Sequence, residues 1–415
     1  MSELPAEVTA DVLSRLPVKS LLRFRCVSRP WCALIDSKHF IKSHLNRSIE
    51  ASSTNLSIIL VYGNDIYSMD FDSFDRAIKL NHPLESTHNL KVLGSCNGLL
   101  CLSETEDEHI VLWNPWTRKH QKIPVSPIEF PGKLPVGPIG FPRKLPYLSP
   151  FAPPAPRIFG TCEFIVYGFG YDCVSDDYKL VRMVQFFGYS VNSFYSEVKV
   201  YSLKANSWRR IQGFPYYLRH HGVNGVLVSG ALHWVVSPRA KSNSADMIAA
   251  FDLGVEKYRL LPGSDRMTVY NDYHMNVRVL GGCLCLICHY DGEVDIWVMK
   301  EYGVKESWTK LFSVELRSVF RCSVSVRPLV YSKSGGEVLL AHDNIKLLWF
   351  DLKRKTFKNA WIHGVPSSFE AEICLGSLVP LPSDGGCDGK KQQAQKKKDR
   401  KERDDFLSKG FKLAL

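Results

Sequence analysis

Apolar positions along this chain follow two different periods. Between Leu4 and Leu45 they recur at helical spacing, and proline signals cut the stretch into three short helices. Leu4-Pro5 opens the first, because proline's fixed φ suits a first helical turn. Val8, Val12 and Leu16 continue it until Leu16-Pro17, where the residue before proline is pushed out of the α region. Leu21, Leu22 and Phe24 begin a second helix, and Val27-Ser28 leads into a third carrying Trp31, Leu34 and Ile35. Residues 46–55 are polar and read as a linker. From residue 56 to 382 the texture changes to short β-rich runs separated by turn signals.

The β region repeats one unit: an apolar strand, a glycine turn, a second apolar strand, a third ending near a polar residue, and a fourth closing on an aromatic or proline. VLGSCNGLLCL, IVLWNP and KHQKIP form one copy, and GVLVSGALHWVV, IAAFDL and KYRLLP another. With Asn114, Ser202, Asp252, Val298 and Asp351 taken as equivalent, the intervals are 88, 50, 46 and 53; an earlier unit centres on Met69, 45 before Asn114. A four-strand unit of this period is the signature of propeller blades. The long interval holds an insertion, residues 124–156, with eleven of the chain's 23 prolines and the near-duplicates FPGKLP and FPRKLP. Such a stretch cannot supply a central strand and reads as an extended rim loop. The first unit has three strands, LSIILVY, DIYSM and AIKL, and AEICLGSLVPL at 371–381 resembles the missing innermost one. It is expected to complete that blade, which closes the ring and removes an exposed edge.

The helical stretch is too small to bury its apolar groups alone. Its order, LP, then LSRLPVKSLLRFRCVS, then a tryptophan three residues on, resembles an F-box. Pro30 departs from the family pattern, at a first helical turn where it should do no harm. The resemblance implies that Leu4, Pro5, Leu13, Leu16, Pro17, Leu21, Val27, Ser28, Trp31 and Leu34 form the surface that docks on the Skp adaptor of a cullin–RING ubiquitin ligase. VLGSCNGLLCL, LWNPWTR, GFGYDCVSDDYKLVRMVQF, EVKVYSL, SWRRI, GALHW, FDL, SWTKLF and RPLVYS extend the likeness to nearly the whole chain. They resemble plant F-box proteins with an F-box-associated, kelch-type interaction domain. What this implies is a substrate-recognition subunit that is not itself an enzyme and that holds a protein for ubiquitination. An intracellular immune receptor is one target class the resemblance suggests, with turnover restraining defence. An F-box carrying a lectin-like module for glycosylated targets is the alternative.

Composition narrows this further. No run approaches the roughly 18 apolar residues of a membrane span, and an opening with Glu3 and Glu7 is unlike a signal peptide. A cytoplasmic and nuclear location follows, where twelve cysteines are free thiols. The net charge of +11 invites a nucleic-acid reading. Residues 390–415 hold ten Lys/Arg and four Asp/Glu, so the tail carries +6 and the body +5. No nucleic-acid surface is expected on that distribution. The tail, 383–415, reads as disordered, and Lys390 to Arg403 as a nuclear signal or a solubilising run.

Candidate chemistry mostly dissolves on inspection. Cys283, Cys285 and Cys288 with His289 suggest zinc, but alternation along a strand sends Cys288 to the opposite face from the other two. Gly168-Phe169-Gly170 lacks the helix that a dinucleotide loop requires. Asp70, Asp72 and Asp75 lack a calcium loop's glycine and terminal glutamate. No catalytic residue, metal or cofactor is expected, and the substrate-binding residues stay unassigned. Trp113, Trp208, Trp234, Trp297, Trp308 and Trp349 recur at similar places and are expected to pack blade against blade. The expected whole is multi-domain: a three-helix F-box (1–45), a linker (46–55), an all-β propeller of about six four-stranded blades (56–382) and a basic tail.

Overall fold

The structure, a computed structural model, describes residues 5–50, 55–84, 88–104, 109–129, 162–187, 194–219, 222–238, 247–263, 274–289, 292–315 and 325–382. The expected rim loop beyond residue 129 and the basic tail therefore lie outside the described residues. Four helices come first: α1 (Ala6–Ser14), α2 (Val18–Phe24), α3 (Arg29–Ile35) and α4 (Lys38–Glu50). Pro5 and Pro17 stand at the N-terminal boundaries of α1 and α2, and Pro30 lies in the first turn of α3.

The expectation of three helices followed by a linker from residue 46 is corrected by α4. Its start is capped by the Ser37 hydroxyl, which accepts from the Phe40 amide at 3.2 Å. Its buried face mixes Phe40 and Leu45 with His44 and Ser48. His44 Nε2 bonds to the Leu16 carbonyl at 3.0 Å, and Ser48 accepts from the Asn55 amide group at 3.1 Å. Inward hydrogen bonding lets a polar sequence form a buried helical face.

Six antiparallel sheets follow. Counted from the centre outwards, blade 2 is Leu90–Cys96, Leu99–Glu104, Ile110–Trp113 and His120–Ile123. Blade 3 is Cys162–Asp172, Asp177–Phe187, Phe194–Ser202 and Ser207–Arg210. Blade 4 splits its inner strand into Tyr217–Leu218 and Val226–Val228, both paired with Ala231–Ser237, before Met247–Asp252 and Tyr258–Leu261. Blade 5 is His274–Leu280, Cys283–His289, Glu293–Met299 and Trp308–Glu315, and blade 6 is Val326–Tyr331, Glu337–His342, Lys346–Asp351 and Thr356–Asn359. Blade 1, Leu56–Tyr62, Asp65–Asp70 and Ala77–Leu80, takes its inner strand Glu370–Leu375 from the far end of the chain. Leu56 faces Leu375 and Val61 faces Glu370. The ring closes as expected, and residues 376–381 continue beyond the sheet.

Apolar side chains on both faces of each blade meet those of its neighbours in one cluster per blade junction. Trp113 lies between blades 1 and 2, Trp208 between 2 and 3, Trp234 between 3 and 4, Trp297 and Trp308 between 4 and 5, and Trp349 between 6 and 1. The tryptophans are packing residues.

The recurring polar position ends each third strand and caps the turn that follows. Asn114, Asp252 and Asp351 each accept from the two amides two and three residues on, while Asp70 and Ser202 each accept from one. Four residues after each cap, Phe74, Arg118, Asn206, Glu256 and Lys355 turn the chain with positive φ. In blade 5 that place belongs to Gly303, four after Met299, so Met299 replaces Val298 as the equivalent residue and Asp70 replaces Met69.

Two stability outcomes follow. Asn114 is fully buried and also donates to the carbonyls of Ser377 at 3.1 Å and Val379 at 3.0 Å. Asn114→Ala leaves buried carbonyls unpaired and should cost about 3 kcal/mol in urea unfolding, against about 1 kcal/mol for the half-buried cap Asp351→Ala; equal losses would contradict the difference. His233 is buried between the Val226 carbonyl (3.2 Å) and the Tyr302 hydroxyl (2.8 Å), and burial pulls its pKa down to about 4. Above the ordinary histidine value of about 6.5 the folded and unfolded chains carry it alike. As pH falls towards 4 the unfolded chain takes up a proton that the folded chain refuses, costing about 3 kcal/mol of stability. His233→Gln should lose that much less between those pH values, and parallel wild-type and variant curves would contradict it.

Candidate functional site

Beyond the closing strand, residues 376–381 form a bracket between the F-box and the propeller. Asn114 holds their backbone from blade 2 through the two bonds given above. Gly98, at φ +80°, lets them pass: a Cβ there would sit 2.2 Å from that of Ser377. Leu378 enters the helical core beside Leu13, Val18, Leu21, Ile35 and Phe40, with Trp116 of blade 2 against it. Val379 and Leu381 join the cluster between blades 2 and 3, where Leu45 of α4 also packs. The exposed Lys19–Asp70 pair at 3.1 Å adds little to this seat.

The expected docking residues separate into three groups. Leu13 and Leu21 are enclosed by the chain itself, at 2% and 0% exposure, in the core of the helical unit. Leu16, Trp31 and Leu34 are half-buried against the same core, with Trp31 edge-on to Phe24. Pro5, Pro17 and Val27 are exposed, and Leu4 lies outside the described residues. Ser28 caps α3, its hydroxyl accepting from the Trp31 amide at 3.3 Å. Val8 and Val12, omitted from the expected surface, are exposed apolar residues on α1. Their spacing of four, with Leu13 off that row, was the available signal: a short helix apolar on two sides faces two partners.

Propeller topology gives the ring two unlike faces. In a four-stranded meander the first and third turns fall at one end, and the second turn and the inter-blade connections at the other. The first turns are tight, such as Asn97-Gly98, Ser229-Gly230 and Gly281-Gly282. The F-box sits at this end, through Lys19 on Asp70 and Trp116 in the helical core. At the opposite end lie the ends of the strands that flank residues 124–161, 238–246, 262–273 and 316–325.

The candidate chemical motifs are structural. Cys283 and Cys285 pack between blades 5 and 6 while Cys288 packs between 4 and 5, and burial pushes the Cys285 thiol up. Gly168 lies on the inner strand of blade 3, where a Cβ would meet Leu232 at 2.7 Å. Asp70 accepts from Lys19 and Asp72 pairs with Lys333 at 2.7 Å. The described cysteines are free thiols. Among the described residues no cluster of three His, Cys, Asp or Glu side chains could hold a metal, and no helix is long and apolar enough to cross a membrane.

Comparison with known proteins agrees with this architecture. Residues 1–43 match the F-box domain and residues 57–371 the F-box associated beta propeller domain. F-box protein CPR1 of Arabidopsis thaliana is 39% identical, and F-box protein At4g22390 of the same plant 34%, each over the full length of both chains. The Arabidopsis F-box/kelch-repeat protein At3g23880 is 28% identical over 91% of this chain and 95% of its own. The chain belongs to the F-box proteins that carry an F-box-associated β-propeller. These are substrate adaptors, generally non-catalytic: the F-box implies an Skp partner and the propeller a substrate.

The burial pattern separates core from surface in the F-box. Leu13→Ala should lower unfolding stability by about 3 kcal/mol, whereas Val27→Ala should change it by less than about 0.5 kcal/mol. A reversed order in denaturant titration would contradict the placement.

Proposed function

We propose that the chain is the substrate-recognition subunit of a Skp–cullin–F-box ubiquitin ligase, docking on Skp through the outer surface of its helices and holding a target on the opposite face of the propeller. One observation carries this reading. The F-box is fixed to the tight-turn face while Val8, Val12 and Val27 stay exposed, which leaves the other end of the ring clear of the helices. Exposed apolar side chains on a small helical unit mark an interaction surface. Pro5 and Pro17 flank that surface, and Leu16, Trp31 and Leu34 support it from beneath. Catalysis in such an assembly is positioning: the complex turns an encounter between target and ubiquitin-conjugating enzyme into a held geometry, and this chain supplies no reacting group.

The finer reading is that the target is an intracellular immune receptor, engaged in the cytoplasm and nucleus. It rests on the family resemblance, with the basic run Lys390 to Arg403 as the nuclear signal.

Purified Skp should bind the wild-type protein and bind the Val12→Glu/Val27→Asp double variant at least about tenfold more weakly, at unchanged melting temperature. In plant cells the same variant should let a co-expressed immune receptor accumulate where the wild type depletes it. Equal Skp binding by both proteins, or none by the folded wild type, would contradict the ligase role. An unchanged receptor level would contradict the target class alone.

A further inference from the structure

The inner strands of blades 5, 6 and 1 bring four charged side chains and one amide to the central channel. Strand register gives their depth below the face away from the F-box. Glu370 pairs with Val61 and Arg327 with Ala341, each one residue from the end of its partner strand at that face. Asn276 pairs with Ile287, two residues in; Glu372 with Ile59, three in; and Arg278 with Cys285, four in. Arg278 and Glu372 are surrounded by protein yet keep part of their surface open, as side chains lining a narrow lumen do. They feel each other's charge and those of Arg327 and Glu370, so the group acts as one electrostatic unit.

Little in the fold satisfies this group. Arg278 Nη1 donates to the Val277 carbonyl at 3.0 Å, but its buried Nε has no partner. The buried Oδ1 of Asn276 has none either. Among the described residues no carboxylate lies within bridging distance of Arg278, and no cation within bridging distance of Glu372. Arg327 is spent in part on the Ala371 carbonyl at 3.0 Å. Burial and the neighbouring Arg327 pull the Arg278 pKa down to about 10, and burial pushes the Glu372 carboxyl up. Arginine at about 10 still carries its charge near neutral pH. Glu372 and Glu370 attract the Arg278 guanidinium through space but do not bridge it, and a buried N–H with no acceptor is unfavourable.

We propose that this mouth of the channel is an anchoring pocket for a carboxylate side chain borne on an extended segment of the target, with Arg278 and Arg327 taking the carboxylate and Asn276 Oδ1 accepting an N–H from the same segment. A guanidinium matches a carboxylate in a two-pronged, charge-assisted pair, which is strongest where water is excluded. The assignment rests on the reading that the target occupies the face away from the F-box. It gives that face a chemical preference for Asp or Glu.

The test uses the full chain with three probes: a library of extended peptides each centred on one glutamate, the matched library with glutamine, and sodium glutarate as a free dicarboxylate. Glutamate peptides should bind at least about tenfold more tightly than their glutamine partners. Arg278→Met should erase that preference, because it removes the guanidinium that takes the carboxylate. Arg278→Lys should restore part of it. Equal binding of the two libraries, or a preference that survives Arg278→Met, would overturn the pocket. Glutarate binding without any peptide binding would overturn its role as a target anchor. Skp binding reads the two proposals apart: intact Skp binding with no glutamate preference removes the pocket alone. Lost Skp binding with an intact preference supports the pocket and counts against the ligase reading.

Discussion

Everything in this molecule depends on one strand pairing, Glu370–Leu375 against Leu56–Tyr62. Each blade buries both its faces only by having a neighbour on each side, so an open ring would leave two blades with an uncovered apolar face and one with an unpaired edge. The pairing also fixes where residues 376–381 emerge. They run directly into the F-box core and are bonded to Asn114 on the way. Ring closure and F-box seating are thus consecutive parts of one segment, which couples the stability of the receptor domain to the orientation of the adaptor domain.

That coupling suits the positioning role proposed for the chain. A substrate held on a loose linker would sample many orientations, whereas here the helices share apolar clusters with blade 2 and the chain's closing segment. The tight-turn face is committed to the adaptor side. The other face carries the polar mouth of the channel, at the far ends of the inner strands.

Much of this was legible because the blade repeat imposes the same physical demand six times. The turn caps recur since each third strand must reverse, and Trp113, Trp208 and Trp234 recur since each blade junction needs filling. The cysteines of blade 5 could be assigned to opposite faces because strand alternation is rigid. What failed depended on contacts distant in sequence. His44 and Ser48 looked like linker residues because their partners, Leu16 and Asn55, lie on other elements. Nothing local reveals that Leu378 packs against Leu13 and Leu21 in the helical core. The channel group had a usable signal that was not read: Arg278, Arg327 and Glu372 are spaced by 49 and 45 residues, the blade period itself. Polar residues recurring at the blade period on successive inner strands point to a lined channel.

The most direct measurement is amide hydrogen exchange on two chains, one ending at Phe369 and one at Leu381. If a single segment both closes the ring and seats the F-box, the shorter chain should lose protection together in Leu56–Tyr62 and in helices α2 and α4. Retention of native protection in α2 and α4 after removal of residues 370–381 would contradict the account.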